Sequence, residues 1–90
     1  MRGDRGGGEI VTSLYCLGRI ATKARPDGYD EVTGFVVAAE SEARARAVAA
    51  SDPGDEGADT WLDPAWSTCE RIGIATDPRE VVVLRAFNAG

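Results

Sequence analysis

The chain has no histidine in 90 residues. That absence removes the usual general base, so Ser-His-Asp and Cys-His nucleophile pairs and His-metal sites are all excluded. Cysteine occurs only at Cys16 and Cys69, within apolar segments and without a C-x-x-C. Such placement favours buried thiols over a disulfide scaffold or structural zinc, a single bridge being the open alternative. No apolar run approaches the ~18–20 residues that span a bilayer. The leader Met1-Arg2-Gly3-Asp4-Arg5-Gly6-Gly7-Gly8 lacks the apolar stretch of a secretory signal. A soluble, cytoplasmic protein with no membrane partner is expected. Aromatic residues make up only 7% of the chain, so few large side chains are available to fill a core.

What is present suits one domain. Ninety residues bury somewhat over ~60% of the unfolded surface around one modest core. Residues 1–8 read as a disordered leader, because three glycines after two arginines do not offset the entropy of ordering. The remainder, 9–90, is expected to form a single α+β domain. Net charge is −5, and the leader is net positive, so the folded body is acidic. Duplex nucleic acid needs a basic face to displace counterions and is therefore not expected as a partner.

Strand patterns bracket one helix. Residues 9–17, β-branched and aromatic, predict a first strand bounded by Gly18, an extension to Ala21 being the alternative. Arg25-Pro26-Asp27-Gly28-Tyr29-Asp30 has turn chemistry, and Val32 to Ala39 predicts a second strand. Simple alternation puts Val32, Gly34, Val36 and Ala38 on one face and Thr33, Phe35, Val37 and Ala39 on the other. Apolar residues on both faces mark a central strand. Ser41 suits an N-cap, and Ala43 to Ala50 predicts a helix with Ala43, Ala47, Val48 and Ala50 buried and with Glu40–Arg44 and Glu42–Arg46 pairs on its surface. After an acidic stretch with a helical turn near Pro64-Ala65-Trp66, Thr68 to Ala75 and Glu80 to Phe87 predict two more strands. The order β-β-α-β-β implies a mainly antiparallel sheet with a helix across one face. Val81 to Leu84 reads as a core strand whose polar replacement would unfold the domain.

The residues that carry chemistry are few. Asp52, Asp55, Glu56, Asp59 and Asp63 form an acidic set without EF-hand spacing, which reads as a solvated loop rather than a metal site. No catalytic, cofactor or metal residues are assigned, and no enzyme activity or cofactor is expected. Trp61 and Trp66 either plug the open end of the core or present indoles to a partner, the core reading carrying more weight. The terminal Phe87-Asn88-Ala89-Gly90 either closes the sheet or offers a backbone and carboxylate to a pocket. Tyr29, Asp30, Trp61, Trp66, Arg85, Phe87, Asn88 and Gly90 are thus the candidate partner-binding or ligand-binding residues.

Several segments, taken in order, resemble a group of small phage and prophage proteins. They are Gly28-Tyr29-Asp30, Val36-Val37-Ala38-Ala39-Glu40-Ser41-Glu42, Ile72-Gly73 with Ala75, Val81-Val82-Val83-Leu84 and the closing Phe87-Asn88-Ala89-Gly90. Val32-Thr33 stands where that group carries a second Tyr-Asp, and Ala86 where it carries Ser. The resemblance implies a virus or integrated element acting in bacterial cytoplasm. The expectation is a non-enzymatic accessory protein that binds a host protein and inhibits a bacterial defence system. The alternative is an oligomeric sponge holding a small nucleotide ligand between Trp61, Trp66 and arginines. A homodimer is expected under either, because the second and fourth strands are apolar on both faces.

Overall fold

The computed structural model describes residues 11–20, 31–76 and 78–88, with the backbone alone for the last two. The predicted leader, the turn at 25–30 with Tyr29 and Asp30, and Gly90 lie outside the described residues. Six elements follow one another: β1 (Ser13–Arg19), β2 (Glu31–Ala39), α1 (Glu42–Ala50), α2 (Ala58–Leu62), β3 (Ser67–Ile74) and β4 (Val81–Asn88). The strands form one antiparallel sheet in the order β3-β1-β2-β4, and both helices lie across one face. The α+β reading therefore holds, with a second short helix added to the predicted order.

β2 is central, as its two-sided apolar pattern requires, but simple alternation does not describe it. Its pairing with β4 slips between Val32 and Gly34, leaving Thr33 as an extra residue. The bulge returns Val32 to the same side as Phe35, Val37 and Ala39, and all four are buried under the helices. This corrects the face expected for Val32. Gly34 sits where a Cβ would lie 3.0 Å from the backbone oxygen of Leu17, so the close approach of β1 and β2 here requires glycine.

A second slip lies between Val36 and Val37, where β4 holds the extra residue. Val82 then packs against the core while Val81, Val83 and Leu84 remain exposed, Leu84 at 61%. Val81 to Leu84 is therefore not a core strand throughout: only its second residue faces the helices. On the face away from them, three cross-strand ranks run over β1, β2 and β4. These are Leu14, Ala38 and Val81, then Cys16, Val36 and Leu84, then Gly18, Gly34 and Ala86. Cys16 is exposed in this face rather than buried, and Cys69 is half-buried on the other side; both are free thiols.

α1 begins as predicted, with the Ser41 hydroxyl accepting from the Arg44 amide at 3.2 Å and Glu42 in the first turn. Its buried stripe is Ala45, Arg46 and Ala49 rather than Ala43 and Ala47. A helix face that includes Arg46 can turn inward because its guanidinium finds acceptors there. Glu42 pairs with Arg46 as expected, at 3.1 Å. Arg44 does not pair with Glu40 but reaches Glu80 before β4, where Nε and Nη2 donate to Oε1 at 3.0 and 2.8 Å. The other Glu80 oxygen accepts from the Glu40 amide at 3.1 Å. Among the described residues, no helix is long and apolar enough to cross a membrane.

The Arg44 guanidinium, with the Glu40 amide, holds the Glu80 carboxyl below its ordinary value. The folded value is the lower one, so this tether stabilises the fold above the ordinary carboxylate range and is lost as pH falls through the depressed value. Glu80→Gln is expected to lower Tm by a few degrees at pH 7. In thermal melts followed by circular dichroism, that difference should shrink as pH is taken below 4.5 and should not shrink between pH 8 and 6.

Candidate functional site

The site is built on the connection between α1 and β3. Helix α1 stops at Ser51, whose amide and hydroxyl donate to the Val48 carbonyl at 3.2 and 2.6 Å, and Pro53 follows. The chain then turns Glu56 inward. Its Oε1 accepts from the amides of Val32 at 2.8 Å and Gly54 at 2.9 Å, and its Oε2 accepts from the Trp61 indole at 2.5 Å. Glu56 is 7% exposed, which corrects its expected place in a solvated acidic loop. Three N–H donors are what make a carboxylate tolerable there. Gly57 follows with φ +85°, a left-handed conformation that starts α2 without a side-chain cap. Thr60 Oγ1 ties back to the Glu56 carbonyl at 2.9 Å.

Trp61 is completely buried, edge-on to Phe35 with ring centroids 4.9 Å apart. An indole of ~200 Å² brings about 5 kcal/mol of transfer free energy into a core to which α1 contributes only the alanines Ala45 and Ala49 as fully buried apolar residues. Its carbonyl accepts from Arg46 Nη1 at 3.1 Å, and the same guanidinium donates to the Ser67 hydroxyl at 2.9 Å and carbonyl at 3.1 Å. Opposite charges therefore grip the two ends of one residue.

Outside this anchor lies an open cleft of about 770 Å³, lined by Glu56, Gly57, Ala58, Asp59, Leu62, Asp63, Pro64 and Trp66. Glu56 spends its carboxylate inward. Asp59 and Asp63 are exposed, and Leu62, 49% exposed, supplies an apolar contact with Pro64 and Trp66. Asp63 also shapes the cleft: its Oδ1 accepts from the Ala65 amide at 2.8 Å, and its carbonyl from the Trp66 amide at 3.0 Å. The helical turn predicted at 64–66 is a plain turn, and the helix lies earlier, at α2.

The candidate residues divide. Trp66 lines the cleft, whereas Trp61 is core and presents no indole to a partner. Arg85 lies on the helix side of β4, where it pairs with Asp52 at 3.4 Å and donates to the carbonyls of Asp52 and Pro53. The backbones of Phe87 and Asn88 pair with Val32 and Glu31, so β4 runs one residue past its predicted end. Asp59, Leu62 and Asp63 were not among the candidates; the signal for them is a leucine set between exposed acids. Among the described residues, no group of three or more Cys, Asp or Glu could hold a metal ion. Burial pushes the Cys69 thiol up, the Arg46 charge opposing it, so it stays protonated at neutral pH.

No family model, curated protein or solved structure matches the chain.

Removing the Glu56 carboxylate leaves three buried or half-buried donors without an acceptor. Glu56→Ala should destabilise the fold by about 3 kcal/mol or more, and Asp55→Ala, exposed beside it, by under ~0.5 kcal/mol. Urea unfolding followed by tryptophan fluorescence checks both, since Trp61 is buried only in the folded state.

Proposed function

We propose that this chain is a non-enzymatic interaction protein that binds a basic, apolar-tipped segment of a host protein through the cleft beside α2. In the setting implied by the phage-type segments, it acts in bacterial cytoplasm as an accessory protein that inhibits a defence system. The observation that carries this reading is the cleft itself: Leu62, Pro64 and Trp66 offer apolar surface, and Asp59 and Asp63 offer two exposed carboxylates beside it. A net charge of −5 raises the local concentration of basic partners and repels nucleic acid. Anchoring from below supports it further, because a cleft whose base is fixed by Glu56 and Trp61 loses little entropy when a partner docks.

The nucleotide alternative has less behind it. It asks two indoles and arginines to converge, and Trp61 is buried while Arg85 is bonded to the loop at Asp52 and Pro53.

Capture from bacterial lysate with tagged protein tests the reading. The wild type should recover a protein whose yield falls at least tenfold with Asp59→Lys plus Asp63→Lys, a loss of about 1.4 kcal/mol. Recovery of nothing above background by the wild type sinks the proposal, and so does equal recovery by the double variant. A thermal-shift screen against nucleotide second messengers should be flat; a rise in Tm of several degrees with one of them would move the assignment to the sponge.

A further inference from the structure

We infer that the face of the sheet away from the helices is the contact between two copies of this chain, stacked sheet against sheet. The inference goes beyond the cleft and does not depend on it. Both helices lie across the other face; among the described residues this one is made of sheet side chains, with Ala75 and Thr76 bounding one end beside Leu14, Ala38, Val81 and Val83. Leu84 is 61% exposed, with Val83 at 58% and Val81 at 42% on the same strand. Singly exposed aliphatics are ordinary on a protein surface, but a contiguous set is not.

Area decides what such a face can hold. Its strands are 7, 9, 8 and 8 residues long. At ~3.3 Å per residue and ~4.8 Å between strands they present roughly 500 Å² in plan. With all four strands covered, two apposed faces remove about 1,000 Å², the lower bound for a specific protein contact. Sheets stacked in this way sit ~10 Å apart with interdigitating side chains.

Charge decides the partner. The three ranks across β1, β2 and β4 contain no charged residue, and Glu70, opposite Cys16 on β3, stands at the rim. A second acidic copy is normally repelled by a chain of net charge −5. Face-to-face stacking is the arrangement that keeps the two α2 clefts, with Asp59 and Asp63, on opposite outer sides. The relief is self-complementary as well. Gly34 and Ala86 leave a hollow of about 160 Å³ bounded by Cys16, Val36 and Leu84. In a two-fold pair, the Leu84 of each copy has the hollow of the other to enter.

Light scattering and sedimentation over 1–100 μM, with Cys16 alkylation mapped by peptide mass, test this. The wild type should have twice the 9.5 kDa of one chain, and Leu84→Asp the single mass with an unchanged far-ultraviolet spectrum. Cys16 should be alkylated at least tenfold more slowly in the wild-type dimer than in Leu84→Asp. Should that variant fail to fold, dilution of the wild type must instead speed Cys16 alkylation in step with loss of the dimer mass. A single mass for the wild type at every concentration overturns the inference, including the case in which Cys16 is slow throughout because another segment of the same chain covers it. A dimer that survives Leu84→Asp overturns it, as does a dimer that leaves Cys16 fast, which would place the pairing at a sheet edge. Asp59→Lys plus Asp63→Lys should leave the dimer mass unchanged, so loss of host-protein capture and loss of dimer are read separately.

Discussion

Trp61 is held between a buried anion and a buried cation, and the helix side of this fold depends on that grip. Glu56 takes the indole N–H and two backbone amides; Arg46 donates to the Trp61 carbonyl and twice to Ser67. Neither charge is placed there cheaply, since the desolvation of each is several kcal/mol before any bond forms. The bonds lead to different elements, however. Glu56 joins the loop to the start of β2 at Val32, and Arg46 joins α1 to the start of β3. A five-residue helix with no side-chain cap has almost no stability of its own, so α2 exists because these tertiary bonds hold it.

The same constraint explains why so small a core suffices. α1 contributes Ala45 and Ala49, which bring little apolar area but let the helix lie close to the sheet. The indole fills the space beside them that larger helix residues would otherwise occupy, against Phe35. A polar network with its donors and acceptors matched then fixes one packing, where alanine alone would allow several.

The strands and α1 were legible because their signals are local. β-branched runs bounded by glycine or proline, and Ser41 ahead of alanines, state their conformation without reference to the rest of the chain. What was hidden depends on partners far away in sequence. Arg46 and Glu56 read as solvent charges, and only the acceptors at Trp61 and Ser67 and the donors at Val32 and Gly54 allow them inside. The bulges at Thr33 and near Val83 are equally silent, because one extra residue in a pair reverses the facing of everything beyond it. That reversal is why Val32 moved to the core and Leu84 to the surface. Of the cleft, Trp66 was foreseen from its residue type, whereas Leu62 and the two aspartates gain meaning only once α2 turns them to one side.

Burial of charge and exposure of aliphatics are thus two parts of one arrangement. A chain of this length has enough large side chains to close one side of a four-stranded sheet, and it closes that side with Trp61 and two buried charges that are each hydrogen-bonded around it. The other side keeps valines and leucine that no further layer covers among the described residues. β2 makes the asymmetry possible: its bulge gathers Val32, Phe35, Val37 and Ala39 beneath the helices and leaves Gly34, Val36 and Ala38 for the opposite face. An acidic outer surface around α2 and a neutral sheet face then have opposite requirements of whatever meets them. The proposed basic partner meets the first requirement, and the proposed second copy, as apolar as the face itself, meets the second.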